Sequence, residues 1–356
     1  MGLRLRQFGR EWLFYALRAD GQAGGRAKCV NTAAPEGYES TLDGADLITD
    51  RATIAEHFPY LNPSTVAVLH ARRCGSLSAQ QLGMYLLEEA RSKGVEFQTA
   101  AFAGIETSGG SVSGVRLRTE TGEEAVDCAA MVLSPGPYLK DPAALAGPAL
   151  PVKVEKHIKI SLPDPEGAIP RTAPLIIWAD PTHLPWSSEE CDALAETEET
   201  KWLTETFPAG VHGRPVGAGD QVLMYWTYDC APQDAPTFPL DWDPYLPEIT
   251  LRGMAVLVPG LERYFDPMPK PYVDGGYYTK TEENRPLIGP LDVPGSFVCS
   301  AFSGFGIMAS CASGELLAQH VTGRTLPSYA PSFVPQRYKD PEYRELLKNW
   351  DSSGQL

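Results

Sequence analysis

A strand–turn–helix pattern near the carboxyl-terminal end of the sequence has the residue types that hold an electron-rich ligand. Residues 296–301 (SFVCSA) form a short apolar run that predicts a buried strand. The turn at 302–306 (FSGFG) follows, and residues 307–321 predict a helix that ends before Gly323. Glycines at a helix start leave N–H groups open at its positive end, which favours electron-rich groups. The pattern by itself fits either a cofactor seat or a structural turn.

Three cationic or titratable side chains are candidates for binding a carboxylate. His212 and Arg214 share the segment 210–215 (GVHGRP), and a guanidinium can bind a carboxylate with two parallel hydrogen bonds. An exposed loop also carries such residues without a function. Arg285 either binds substrate or stabilises its own turn.

Composition limits the classes of partner. The 356 residues are 43% hydrophobic and 21% charged, as in ordinary globular proteins of one or two domains. A formal net charge of −15 argues against nucleic acid and anionic membranes as partners. No apolar run approaches the roughly 18 residues of a membrane helix. Seven scattered cysteines without a C-x-x-C pair predict a reducing, cytoplasmic location and no metal site.

The elements around these candidates are predicted to be a mixture of helices and strands. Ser78 and Gln81 predict a helix start, with Gly94 as its stop. Residues 189–207 and 247–257 also predict helices, as do residues 51–58, and residues 23–26 predict a loop. Strands are predicted at 12–16, 95–97, 102–105, 111–117, 128–133, 152–161, 175–179 and 221–228.

Two motifs in order resemble a known family. Residues 281–290 (TEENRPLIGP) and 301–306 (AFSGFG) resemble the carboxyl-terminal signature of the D-amino-acid oxidase (DAO) family of FAD-dependent oxidoreductases. The family pattern is T-P-D-x-x-P-x-I-G, a short strand, then G-F-S-G-H-G. Glu282 and Glu283 stand where Pro and Asp are usual, and Phe305 stands where His is common. Residues 56–62 (EHFPYLN) and 70–138 resemble the region around the family's second FAD-binding segment.

The resemblance implies an α/β (α+β) fold. It consists of an FAD-binding Rossmann-like domain, truncated at its N-terminus and interleaved with an antiparallel-sheet substrate domain. The FAD-binding domain is expected at 70–145 and 280–325, and the substrate domain at 1–69 and 146–279. Residues 326–356 are expected to form a carboxyl-terminal tail.

The resemblance also implies FAD as the cofactor. Gly276 occupies the position at which sarcosine oxidase, a family member, attaches flavin through cysteine, so FAD is expected to bind non-covalently. The residues expected to contact FAD are Phe102, Gly136, Ser303, Gly304, Phe305, Gly306, Ile307 and Met308.

The implied substrate is a small amine or amino acid. Tyr278 falls where sarcosine oxidase has a tyrosine that meets the substrate carboxylate, although a core aromatic is an equal alternative. His212 falls near a substrate-facing tyrosine of that enzyme. Met308 replaces a carboxylate-binding lysine, and Leu223 replaces a lysine that assists the reaction with oxygen. Oxygen is therefore expected to be a poor acceptor.

One departure from the family concerns the pyrophosphate of FAD. No G-x-G-x-x-G follows a strand in the N-terminal part of the sequence, so the family's first βαβ unit is not found in it. This chain alone is therefore expected to bind FAD weakly or not at all. The alternative to an oxidoreductase is a non-catalytic fragment or binding protein that has lost FAD binding. A nicotinamide dehydrogenase has no supporting motif.

Overall fold

The computed structural model describes residues 13–17, 45–71, 75–147 and 149–350. The predicted loop at 23–26 lies outside these residues, as does Trp12 of the predicted first strand. The chain forms two compact units. The first unit contains the described residues up to Ser78, with Ile158–Asp229 and Asp241–Gly275. The second unit contains Ala79–His157, Cys230–Leu240 and the described residues from Gly276 onward.

The described residues form both helices and strands along the whole chain. The helices are α1 (Arg51–His57), α2 (Ala79–Ser92), α3 (Lys140–Leu145), α4 (Ser188–Ala195), α5 (Leu246–Leu257), α6 (Gly306–Thr322) and α7 (Pro341–Leu347). The strands are β1 (Leu13–Leu17), β2 (Ala45–Ile48), β3 (Ala67–Ala71), β4 (Ala101–Ser108), β5 (Ser111–Thr119), β6 (Gly122–Asp127), β7 (Met131–Leu133), β8 (Val152–Pro163), β9 (Leu175–Trp178), β10 (His212–Pro215), β11 (Gln221–Tyr225), β12 (Pro232–Gln233), β13 (Tyr272–Thr281), β14 (Leu287–Pro290) and β15 (Ser296–Ser300).

The first unit is built on a large sheet with the strand order β8-β11-β10-β9-β1-β3-β2. Neighbouring strands in this order run antiparallel, except for β1 and β9, which run parallel. The part of β8 before Ile158 belongs to the second unit, where β12 pairs with it at Val154 and Glu155. Strand β13 also pairs with β8. Helix α5 is buried along almost its whole length, including Ile249, Leu251 and Met254, and supplies much of this unit's core.

The second unit contains two small sheets. Strands β4, β5 and β6 form an antiparallel meander, as the sequence predicts. Strand β15 lies between β14 and β7, and it runs parallel to β7. Side chains of β7, β14 and β15, including Leu133, Leu287 and Val298, form one core cluster with Leu139 and Ala143. This core holds the strand that leads into α6.

The predicted strand at 296–301 and the predicted helix at 307–321 are confirmed as β15 and α6. Gly323 ends α6 in the left-handed conformation, with φ of 65°. The predicted strand at 95–97 is wrong. Residues 95–100 have no regular structure, and Val95 and Phe97 are 54% and 65% exposed.

The predicted helix at 189–207 is also wrong as a single element. Helix α4 ends at Ala195, and a separate 3₁₀ turn covers Lys201–Thr204. The Thr200 hydroxyl donates to the Leu194 carbonyl at 2.7 Å, and it lies 2.7 Å from the Thr197 hydroxyl. Such local side-chain bonds compete with the helical ladder, which explains why the helix stops there.

The observed architecture agrees with the predicted fold class, which combines α/β layers with antiparallel sheets. None of the helices in the described part of the chain is long and apolar enough to cross a bilayer.

Candidate active site

The turn between β15 and α6 is conformationally unusual. Ala301 and Ser303 have φ values of 62° and 51°, a region that residues other than glycine seldom adopt. Residues held in such conformations concentrate at functional sites, where the surrounding fold must enforce them. Ala301 is 1% exposed and belongs to the core cluster of the second unit, so packing fixes this end of the turn. The strain therefore marks the turn as a candidate site.

Helix α6 begins at this turn with its positive end open. It has 17 residues, starts at Gly306, and receives no side-chain capping hydrogen bond at Phe305. Ile307 and Met308, in its first turn, are 46% and 69% exposed. The uncapped N–H groups and the glycine backbone can accept an electron-rich group.

Tyr278 lies directly against this turn. A Cβ placed on Gly304 would be 3.1 Å from Tyr278 Cε2 and 3.5 Å from its hydroxyl oxygen, so only glycine leaves the phenol in place. Burial, and to a lesser degree the charge of Cys230, raise the pKa of Tyr278. The phenol therefore keeps its proton at neutral pH and can donate a hydrogen bond. The structure thus brings together Tyr278 and the predicted turn residues Ser303, Gly304, Phe305, Gly306, Ile307 and Met308.

A row of buried polar residues lies beside Tyr278, and the sequence analysis did not identify it. The His157 ring stacks on the Tyr278 ring, with centroids 3.8 Å apart. Glu155 Oε2 accepts from Lys280 Nζ at 2.9 Å and lies 3.5 Å from His157 Nε2. The sequence does contain a signal for this cluster. Glu155 and His157 are two residues apart, as are Tyr278 and Lys280, so each pair lies on one face of its strand.

His212 and Arg214 belong to the first unit, where both lie on β10. The His212 ring packs edge-on against Tyr225 at 4.7 Å, and its Nδ1–H donates to the Gly210 carbonyl at 2.8 Å. Burial lowers the pKa of His212 to about 4, although the bond to Gly210 opposes this shift. His212 is therefore neutral at pH 7 and offers a hydrogen bond rather than a charge. Arg214 Nη1 donates to the Pro215 carbonyl at 3.1 Å.

Arg285 stabilises its own turn through its backbone. Its N–H donates to Thr281 Oγ1 at 2.9 Å, and its carbonyl accepts from the Thr281 hydroxyl at 2.8 Å and from Arg337 Nη2 at 3.0 Å. The Arg285 guanidinium lies 5.5 Å from the centre of the Trp350 ring. Substrate binding by the Arg285 side chain stays a prediction.

Glu283 anchors the same turn. Its Oε1 accepts from Arg337 at 2.7 Å, Tyr338 at 2.7 Å and Tyr343 at 3.0 Å. Residues of the expected carboxyl-terminal tail thus pack into the second unit and support the end of β13, the strand that carries Tyr278.

The two remaining predicted cofactor contacts also belong to the second unit. Phe102 packs against the core cluster from β4, next to an irregularity in the β4–β5 pairing. Gly136 follows β7 with φ of 57°, and no atom of the described residues lies within 4 Å of a Cβ built on it. Among the described residues, no three His, Cys, Asp or Glu side chains come together as metal ligands.

Comparison with known proteins assigns the chain to a family. The family model described as DAO, FAD dependent oxidoreductase, matches residues 13–320. The chain belongs to this family. No curated protein matches the sequence.

Solved structures with the same fold include three named for small amine-containing molecules. L-proline dehydrogenase from P. horikoshii has 16% identity and a TM-score of 0.65, covering 93% of this chain and 77% of that one. Glycine oxidase from Geobacillus kaustophilus has 18% identity and a TM-score of 0.65, with coverage of 92% and 75%. Iminodiacetate oxidase from Chelativorans sp. has 14% identity and a TM-score of 0.62, with coverage of 92% and 76%.

The turn residues of this DAO family member fit the flavin end of FAD. The α6 N-terminus is uncapped, Gly304 and Gly306 keep the backbone accessible, and Tyr278 limits the space on one side. The Phe305 N–H donates to the Phe302 carbonyl at 2.9 Å, so the open N–H groups in the first turn of α6 would hold polar atoms of the flavin ring. The sequence contains no N-terminal G-x-G-x-x-G turn to which the pyrophosphate can be assigned.

Proposed function

We propose that this chain oxidises the C–N bond of a small amine or amino acid, with FAD bound non-covalently as the electron acceptor. The observation that carries the proposal is the Tyr278 ring held against Gly304 at the strained turn that begins α6. Family membership supports FAD dependence. The structural neighbours named for proline, glycine and iminodiacetate support a substrate with both an amine and a carboxylate.

Bound FAD would supply the redox chemistry, and the protein's part is to bind, orient and shield the substrate. Tyr278 has a protonated phenol and would donate a hydrogen bond to the substrate carboxylate. The open N-terminus of α6 would stabilise negative charge on the flavin pyrimidine ring.

The remaining substrate contacts belong to the same proposal. Arg285, in the same unit as Tyr278, would contribute positive charge. Roles for His212 as a neutral hydrogen-bonding group and for Arg214 as a cation stay predictions from the sequence. Leu223, opposite Arg214 on β11, supplies no charge to assist the reaction with oxygen. We therefore infer slower peroxide release than dye reduction.

Tyr278→Phe tests the substrate-binding role. The phenol hydrogen bond to a charged carboxylate contributes about 1.5–3 kcal/mol, so kcat/KM should fall about 10- to 150-fold, mostly through KM. The measurement is dye reduction by FAD-supplemented protein, with small amino acids and secondary amines as substrates.

Tyr277→Phe is the matched control. Tyr277 is the adjacent residue of β13, but its hydroxyl donates to the Thr237 carbonyl and accepts from the Thr237 N–H, both at 2.9 Å. Its kcat/KM should stay near the wild-type value. Equal kcat/KM values for wild type and Tyr278→Phe would show that the Tyr278 hydroxyl does not bind the substrate.

A further inference from the structure

The charged residues beside Tyr278 are buried more deeply than a surface ion pair. Glu155, His157 and Lys280 are 2%, 5% and 3% exposed. The Glu155 carboxylate accepts from Lys280 on one oxygen, while Lys153 Nζ lies 3.3 Å from the other. Burial opposes ionisation of Glu155, but the bonds from His157 and Lys280 outweigh it and lower its pKa to about 2. An ionised carboxylate is therefore maintained inside the second unit.

Strand geometry explains how these residues meet. Side chains two residues apart point to the same face of a strand, so Glu155 and His157 share one face of β8. Tyr278 and Lys280 share one face of β13 for the same reason, and β13 pairs with β8. The result is two contacts between the strands: Lys280 with Glu155, and Tyr278 with His157.

Stability alone does not account for the buried pair. Removing a carboxylate and an ammonium from water costs several kcal/mol per ion, and apolar replacements of such pairs are often neutral or stabilising. The pair does fix a geometry, because Glu155 Oε2 is shared between Lys280 and the Nε2 side of His157. On the other side of the ring, His157 Nδ1 lies 3.8 Å from Cys230 Sγ. Each nitrogen atom of the His157 ring thus faces a polar side chain, Glu155 on one side and Cys230 on the other.

We propose that Lys280, Glu155 and His157 form a positioning chain that holds the Tyr278 ring against the Gly304 turn. Lys280 orients Glu155, Glu155 orients the His157 ring, and His157 supports one face of the phenol. None of the three is a catalytic residue, since each acts through Tyr278. This inference rests on the proposed role of Tyr278 in binding substrate.

Nitration of tyrosine by tetranitromethane tests the positioning chain without flavin or substrate. A stacked ring contact of this kind is strong enough to slow nitration of the covered phenol about two- to tenfold. His157→Ala should therefore speed nitration of Tyr278 by that factor, while His157→Phe, which keeps a ring but loses the contact with Glu155, should restore only part of the protection. Mass spectrometry of the peptide containing both tyrosines separates Tyr278 from Tyr277, the internal control.

The variant Glu155→Met/Lys280→Met tests the first links of the chain. It removes both buried charges together, so folding is expected to survive, and circular dichroism checks this. Tyr278 should nitrate faster than in wild type, with Tyr277 unchanged. Unchanged Tyr278 reactivity in either His157→Ala or the double variant, or an equal rise at both tyrosines, overturns the proposal. These outcomes are independent of Tyr278→Phe kinetics, so the proposed function is judged separately.

Discussion

At the residue scale, the two glycines of the turn have different surroundings. A side chain on Gly304 would press on Tyr278 at 3.1 Å, whereas one on Gly306 would meet only Phe302 Cβ at 3.5 Å, an ordinary contact. Substitution at Gly304 therefore perturbs the phenol and the cofactor seat together. Substitution at Gly306 perturbs the proposed flavin-binding backbone without moving Tyr278, so it tests flavin binding more directly.

Glu155 makes acid stability depend on one buried carboxylate. Its pKa is lowered from 4.5 to about 2, so its contribution to stability is present above pH 4.5 and is lost as the pH falls through 2. The wild-type Tm should therefore fall more steeply than that of Glu155→Met/Lys280→Met across this window. Thermal melts at successive pH values measure the difference. If the Tm of both proteins fell equally with pH, the contact between Glu155 and Lys280 would not be what keeps Glu155 ionised.

At the element scale, the sequence predicts much of the framework but not which contacts carry the site. The apolar run of β15, the small residues of α6 and Gly323 predict that strand–turn–helix closely. The left-handed Ala301 and Ser303 carry no local signal, because neither residue type favours positive φ. The contacts of Glu155 and His157 depend on which strand lies beside β8, and residue order alone does not determine this.

Two helical glycines give opposite expectations for the same substitution. A Cβ on Gly253, in the buried helix α5, would lie 2.7 Å from Trp226 Cε3, whereas Gly83 in the exposed helix α2 has nothing within 4 Å. Gly83→Ala should stabilise by up to about 1 kcal/mol through helix propensity. Gly253→Ala should destabilise, because overpacking costs about 1–3 kcal/mol and exceeds that gain.

Urea unfolding of the two variants beside wild type measures these free energies. Stabilisation by both substitutions would mean that the Trp226 ring moves aside at little cost.

At the scale of the whole molecule, the family indicated by the motifs at 281–290 and 301–306 is the one whose model matches residues 13–320. The fold is shared with structures of only 14–18% identity. Substrate identity does not follow from the fold, because it depends on a few side chains. Sequence reasoning selected Tyr278 from a motif position, and the structure adds its contact with Gly304. The substrate-binding roles of His212 and Arg214 stay predictions, because the described contacts of both side chains are made with residues of the first unit.

Titration of the protein with FAD, followed by the visible flavin spectrum, tests the central claim most directly: the turn before α6 seats the flavin. The account predicts weak, saturable binding to wild type at high FAD concentration. It predicts about two- to tenfold weaker binding to Gly306→Val, because the added side chain blocks one hydrogen bond to the uncharged oxidised flavin. Gly314→Ala, on the same helix with nothing within 4 Å, should bind as wild type does. Equal affinity in Gly306→Val, or no binding to wild type at high FAD concentration, would contradict the claim, and the second result would favour a protein that has lost FAD binding.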